Sequence, residues 1–443
     1  RGVWRVCLIV KLLQEESGMS RKFLLVILIF SMAFAYGQEA KTGWGFGGVP
    51  AVAYNSDTGF LYGIVFEAYN FGDGSNNPDY DYTLKPTWTR TTKGSGENKL
   101  FFDSKYLLPY DIRVTAFAGY FTEQALPFYG FNGYEADYRP GFEESDSTDA
   151  YITRMFYRHE RNTLRLSADF QKSVISDNLR LIAGIGYVDT QVDTVDESGL
   201  NEGKDEDLLP LNAPTLYDNY VDQGYIRADE ANGGLTNFIK LGVVYDTRDN
   251  EPNPMSGIWT EALITSYPGF LGSDFSFTTL TATHRQYFTL IENDLSFAYR
   301  LGYQQNLGDV PFFMLPWYQS SYVTTEGMGG SKSLRGILKN RVVGNTIFMA
   351  NMEARWKFYR TVIGGQNLYL ALNGFTDFGQ VLEPYEVENK TLPMETEEGL
   401  HLSFGGGLRI VLNENFIIAV DYGMASDEQD GNSGLYIGLG YLY

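Results

Sequence analysis

Cysteine is almost absent from this chain: Cys7 is the only one in 443 residues. It lies in a stretch that reads as removed on export, so disulfides and thiolate metal sites are excluded from the mature protein. Histidine is nearly as scarce. His159, His284 and His401 stand far apart without metal-ligand spacing, so neither a metal nor a cofactor is expected. Past residue 37 no run approaches 18 apolar residues, which excludes helical membrane spans. Positive charge is in short supply as well. Lys and Arg number 34 against 55 Asp and Glu, a formal net charge of −21. Such acidity argues against nucleic acid and against direct binding to anionic lipid headgroups.

The chain begins at Arg1, and residues 1–18 read as sequence upstream of the true start at Met19. Residues 19–37 have the order of a signal peptide. Arg21 and Lys22 form the basic end, Phe23 to Ala35 the apolar core, and Ala35-Tyr36-Gly37 the small residues before a cut ahead of Gln38. That apolar core falls short of the ~20 residues a spanning helix needs, with an uncleaved anchor as the alternative. Without residues 1–37 the chain keeps 406 residues, 29 of them basic and 53 acidic, a balance of −24.

What is present is aromatic and glycine-rich: 15% Phe, Trp and Tyr, and 48 glycines. Short segments alternate strictly between two faces, as strands do. Leu164, Leu166, Ala168 and Phe170 oppose Arg165, Ser167, Asp169 and Gln171. Leu295, Phe297, Tyr299, Leu301 and Tyr303 oppose Ser296, Ala298, Arg300, Gly302 and Gln304. Near the end, Leu435, Ile437, Leu439, Tyr441 and Tyr443 fall on one face. A soluble sandwich would bury the apolar face and solvate the other. Here the polar face is small residues and isolated charges, and tyrosines gather near strand ends. That fits lipid outside and a tight polar interior.

The expected fold is therefore all-β, a transmembrane antiparallel β-barrel of about 16 strands filling residues 38–443. The strands are read at 43–54, 58–70, 80–91, 98–107, 111–121, 163–173, 178–188 and 236–247. They continue at 256–265, 275–289, 294–305, 345–358, 367–379, 399–411, 415–425 and 434–443. Short connections alternate with long ones, which belong on the periplasmic and outer sides respectively. No separate domain fits between Gln38 and the first strand.

One long loop holds Gly329-Gly330-Ser331-Lys332-Ser333-Leu334-Arg335-Gly336. Alone, Arg335 would be a solvated loop residue. The strand after it sets Phe348, Ala350, Met352, Ala354 and Trp356 toward lipid, so Asn351, Glu353 and Arg355 point inward. On the next strand Leu368, Leu370, Leu372 and Phe378 face lipid, and Asn373, Phe375 and Asp377 face inward. Glu353 and Asp377 thus share the interior on adjacent strands, where one guanidinium fork can bridge two carboxylates. Glycines around Arg335 let the loop turn sharply and pass close to the wall.

Ser333-Leu334-Arg335-Gly336 in the sixth long loop, with Phe375-Thr376-Asp377-Phe378-Gly379 after it, resembles the barrel of BamA/TamA-type outer-membrane assembly factors, the bacterial surface antigen family. Tyr245-Asp246-Thr247-Arg248-Asp249-Asn250, followed by Pro252, Pro254 and Gly257, resembles that family's turn after the eighth strand. Pro127-Phe128-Tyr129-Gly130 is a weaker match. The resemblance implies a sixth extracellular loop folded into the lumen and clamped through Arg335, Gly336, Glu353 and Asp377. It also implies a weak seam between the first and last strands, where Gly45, Gly47 and Gly48 and then Gly434, Gly438 and Gly440 lower pairing strength. Two departures stand out. Ile337 replaces the aromatic residue expected after Arg-Gly, and the family's periplasmic POTRA domains are not found.

Rival chemistries find little support. The glycine-rich loop lacks the Gly-Lys-Ser/Thr order and the following helix of a phosphate loop. Asp246, Asp249 and Asn250 suit a turn better than a calcium site. Nothing marks a Ser/His/acid triad, so no enzyme is expected. The expectation is an outer-membrane barrel of a Gram-negative-type bacterium, assisting insertion or translocation of proteins or lipids. Its partners would be outer-membrane lipid, assembly-machinery or periplasmic and surface proteins, and client outer-membrane proteins. The alternative is a passive channel or a structural subunit of an envelope complex.

Overall fold

Strands with large apolar residues on one face and small or charged ones on the other can close on themselves with the apolar face outward. A computed structural model describes residues 42–55, 59–76, 80–144, 150–203, 205, 208–322, 324–363, 366–387, 396–412 and 416–443. The upstream and signal-peptide readings of residues 1–37 lie outside the described residues. Among the described residues no helix is long and apolar enough to cross a membrane.

Sixteen long strands make one antiparallel sheet. The first eight are β1 (Trp44–Asn55), β2 (Gly59–Asn70), β3 (Tyr82–Thr91), β4 (Ser95–Leu108), β5 (Ile112–Pro127), β6 (Arg158–Val174), β7 (Ser176–Asp193) and β8 (Phe238–Asp246). The others are β9 (Gly257–Tyr267), β10 (Phe277–Ile291), β11 (Leu295–Gly308), β12 (Thr346–Ile363), β13 (Gln366–Glu383), β14 (His401–Leu412), β15 (Phe416–Ala425) and β16 (Ser433–Leu439). Each pairs with its sequence neighbour, a short Gly233–Leu235 segment extends the pairing with β7, and β16 returns to β1. The sheet is a closed barrel. Several strands run further than the alternation alone placed them: β5 continues to Pro127, β7 to Asp193 and β12 to Ile363.

The two faces are sorted as lipid requires. Ile64, Leu100, Leu166, Leu181, Ile185, Leu241 and Ile264 are exposed on the outer wall, with Trp44, Trp88, Tyr120, Tyr187 and Trp356 among them. Thr83, Asp103, Arg161, Asp169, Lys240, Glu261 and Asn351 are buried on the inner face. Apolar atoms outward and charges inward invert the order of a soluble protein, and hydrocarbon outside is the medium that makes it favourable.

The long connections pack on each other at one end of the barrel. Phe128 and Phe131 from the β5–β6 connection, Tyr217, Tyr220 and Ile226 from β7–β8, Phe312 and Phe313 from β11–β12, and Tyr385 after β13 form one buried cluster. Tyr129 packs separately with Tyr138, Phe156 and Tyr157. At the other end the turns are tight. After β8, Arg248 donates to both oxygens of Asp246, and the Asn250 side chain accepts from the Asn253 amide, so these residues shape the turn.

One reading of the sequence is corrected here. Tyr441 and Tyr443 do not continue the outward face of the last strand. β16 ends at Leu439, and Gly440, which lies outside the strand, takes a φ of +86° that an L side chain rarely adopts. The chain then turns inward. Tyr441 packs beside Tyr369, Val411 and Ile417, and Tyr443 beside Tyr287 and Ala298. Strict alternation continued through a residue whose backbone conformation broke it.

The outer-wall assignment has a direct test. Val243 is exposed on β8. Arginine there should lower stability in bilayer vesicles by about 2–4 kcal/mol if the site lies near mid-membrane, read from urea unfolding. A cost within ~0.5 kcal/mol, usual for a solvated surface, would contradict the assignment.

Candidate functional site: the interior clamp and the seam

Glycine at positive φ shapes the segment between β11 and β12: Gly329 at +106°, Gly330 at +82° and Gly336 at +95°. The Ser333 hydroxyl donates to the carbonyls of Gly327 and Gly329 (2.6 and 3.1 Å), closing the bend that carries Leu334 and Arg335. Leu334 and Ile337 are fully buried with Met328, Val342, Ile347, Met349 and Val381. An aliphatic side chain at 337 therefore has an apolar seat of its own.

Arg335, 1% exposed, is held from several sides. Its Nε and Nη2 donate to the two oxygens of Asp377 at 2.9 Å each, and its backbone amide adds a third bond to Asp377 Oδ2 at 3.0 Å. Nη1 donates to Glu353 Oε1 at 2.6 Å. The guanidinium carbon lies 3.5 Å from the centre of the Phe375 ring, a cation–π contact on the open face of the fork. Asn351 donates to Asp377 Oδ1 (2.8 Å) and to the Ser333 carbonyl (2.6 Å). The next residue, Gly336, lies against the backbone of Gly423 and Met424 on β15, where a Cβ would clash, and its amide donates to the Tyr436 hydroxyl on β16 at 3.0 Å.

Several members of this group were not singled out from sequence. Arg355 donates to Glu353 Oε2 (2.8 Å) and to a main-chain oxygen of Tyr443 (2.9 Å). Arg409 grips Asp421 with two bonds of 2.7 and 2.9 Å, and Asp421 lies 3.7 Å from Arg335. Arg335, Arg355 and Arg409 thus face Glu353, Asp377 and Asp421, and the buried Arg300 joins the group through Asn351 (2.8 Å). Alternation places Arg355 and Arg409 on the inward face. It cannot say which inward residues meet across the barrel.

The rest of the segment touches the inward face far beyond the clamp. Tyr322 packs on Phe101 of β4 (5.8 Å), and Lys339 reaches Glu123 of β5 (3.4 Å). Glu326 pairs with Arg161 of β6 and with Lys339 (2.5 Å). Burial alone would raise the Glu326 carboxyl, but Lys339 and Arg161 outweigh it and hold it below the usual carboxylate range. The Ser321 amide donates to Glu261 of β9 (2.9 Å), Tyr318 meets Thr283 of β10 (2.9 Å), and Gln304 of β11 donates to the Trp317 carbonyl (2.6 Å).

The seam is the weakest joint of the sheet. β1 pairs with β2 along its whole length, from Trp44 opposite Asn70 to Asn55 opposite Gly59. Among the described residues it pairs with β16 only as Tyr54 opposite Ile437 and Asn55 opposite Tyr436. Gly45, Gly47 and Gly48 lie on β1 but pair with β2 alone, while Gly434 and Gly438 pair with β15. Beside Gly47 and Gly438 there is open space for a Cβ, so crowding does not dictate glycine there. Each lowers the local preference for an extended, paired backbone.

Removing the arginine should expose how the clamp is balanced. Arg335→Ala leaves Asp377 buried without its cation, an expected loss of about 3–5 kcal/mol in unfolding free energy. The β11–β12 segment should also become protease-sensitive in intact vesicles. Unchanged stability together with unchanged protease protection would sink this account.

The chain can now be set beside known proteins. The model of the Omp85 superfamily domain matches residues 85–442. Among solved structures, BamA from Haemophilus ducreyi lacking POTRA domains 1–3 superposes with a TM-score of 0.55 at 15% identity. That match covers 90% of this chain and 71% of the other. CdiB from Escherichia coli gives a TM-score of 0.54 at 10% identity, over 92% of this chain and 64% of the other. At these identities the likeness is one of fold. No curated protein sequence matches the chain. The family match spans most of the barrel, and with the apolar outer wall it makes this chain a member of the Omp85 superfamily, a β-barrel of the bacterial outer membrane.

Proposed function

We propose that this barrel assists the insertion or secretion of other proteins at the outer membrane, working through the seam between β1 and β16. The carrying observation is the edge of β1. Trp44–Ala53 make no pair with β16, so their backbone donors and acceptors on that side are available to an incoming strand. A strand of a client protein would satisfy them by edge pairing. This chemistry favours polypeptide over lipid as cargo, because lipid offers no matching ladder of N–H and C=O groups. The β11–β12 segment serves as a lumen plug, with Arg335, Gly336, Glu353 and Asp377 as its clamp. Client outer-membrane proteins and periplasmic or surface partners belong to the same reading.

Locking the seam tests it. Tyr54 and Ile437 stand opposite each other, close enough for a disulfide once both are cysteine. The oxidised Tyr54→Cys/Ile437→Cys variant should lose acceleration of client-barrel insertion into vesicles and regain it on reduction. Full activity in the oxidised form would rule out passage through the seam. Steady conductance in a planar bilayer with no effect on clients would instead favour a passive channel.

A further inference from the structure

At the end of the barrel where the long connections meet, a second buried group of charges ties four of them together. His401, the first residue of β14, is fully buried. Its Nδ1 lies 2.6 Å from Asp430 Oδ1 in the β15–β16 connection, and its Nε2 lies 3.3 Å from Glu398 Oε2 in the β13–β14 connection. The Tyr134 ring, from the β5–β6 connection, stacks on the imidazole with centroids 3.9 Å apart, and its hydroxyl donates to Asp430 Oδ2 at 2.7 Å. Glu398 also accepts from the amides of Tyr134 and Val381, both at 2.8 Å. Arg341, from the β11–β12 segment, donates to the carbonyls of Gln429 (2.6 Å) and Gly133 (2.7 Å) and lies 5.9 Å from the Tyr134 ring centre. The Leu338 amide donates to the Asp430 carbonyl at 2.9 Å. Asp427, at the exposed edge, caps the Gln429 amide.

The charges around the imidazole are thus Asp430, Glu398 and Arg341, with Tyr134 neutral against its face and Asp427 screened by solvent. The fully buried Asp430 and the half-buried Glu398, set against one arginine, leave a negative charge, which a protonated His401 cancels. The hydrogen bonds say the same. A neutral imidazole has one N–H, yet a carboxylate faces each of its nitrogens, and only the imidazolium donates to both. We propose that this cluster is a pH-sensitive latch on the β15–β16 hairpin, closed while His401 is an imidazolium between Asp430 and Glu398 and released when it gives up that proton. Asp430 sits six residues before Tyr436, which with Ile437 pairs with Tyr54 and Asn55, the last two residues of β1. The latch's role in the seam rests on the function proposed above; its existence does not. The sign follows from the chemistry. The latch holds where His401 is charged and loosens as pH rises through the histidine titration.

Amide hydrogen exchange on the full chain in lipid nanodiscs tests the latch. Corrected for the intrinsic rate, exchange at Tyr134 and Leu338 should rise at least about tenfold between about pH 6 and about pH 9. His401→Gln should remove that pH response. Gly133→Ala should loosen the same amides at every pH, because Gly133 has a φ of +57° and packs directly on His401 Nε2 and Glu398. A flat wild-type profile, or a wild-type pH response in His401→Gln, would overturn the proposal. Should His401→Gln fail to assemble, the imidazole nitrogen shifts of the wild type decide: imidazolium at neutral pH supports the latch, and neutral imidazole overturns it. Client insertion on the same samples separates the two readings. Its absence at every pH would remove the functional reading while the exchange data still settle the latch.

Discussion

In hydrocarbon a strand must find its backbone partners within the protein, and among the described residues the gap in the ladders lies between β1 and β16. The gap has a local cause. β16 is short, and the chain leaves the sheet at Gly440, whose backbone turns Tyr441 and Tyr443 inward. The residues after Gly440 pack on the inner face, where Arg355 donates to a main-chain oxygen of Tyr443 and the Tyr443 hydroxyl donates to the carbonyls of Ala298 and Asn351.

The last hairpin is paired to β14 along the whole of β15, from Ser403 opposite Ala425 to Leu412 opposite Phe416, and contacts from the β11–β12 segment hold it as well. Asp421 on β15 lies beside Arg335 and is gripped by Arg409, while Tyr436 on β16 receives the Gly336 amide. The charged contacts among these are costly when broken. Burying a guanidinium or a carboxylate alone costs several kcal/mol, whereas a matched set recovers most of that through charge-assisted bonds. A clamp of this kind is nearly all-or-none: it contributes specificity of seating rather than graded stability. That is the property a plug needs if it is to stay put while a neighbouring seam remains loose.

The fold was legible in the sequence because lipid imposes period-two alternation over many strands, and inverted amphipathicity shows in composition and pattern alike. The faces of β12 and β13 were legible for the same reason, since alternation fixes the inward side of Asn351, Glu353, Asn373 and Asp377. Alternation carries no height and no partner across the barrel, so the roles of Arg355, Arg409, Asp421 and Tyr436 were not visible. The rim cluster was still less so. Tyr134, Glu398, Arg341 and Asp430 sit in connections with no period, and His401 drew notice only as one of three scattered histidines. Gly440 could not be told from Gly438, because positive φ leaves no mark on a residue type that is free to adopt either sign.

The β15–β16 hairpin is thereby held at two levels by unlike means. Inside, permanent guanidinium charges seat it against the plug, and no physiological pH removes them. At the rim, a histidine whose charge completes a buried set holds the connection at its tip. Because the two residue pairs between β1 and β16 lie at that rim end, loosening the tip bears directly on them, while the inner clamp keeps the plug in register. On the function proposed above, the seam would respond at its outer end without the interior rearranging, which would separate access to the β1 edge from the integrity of the barrel.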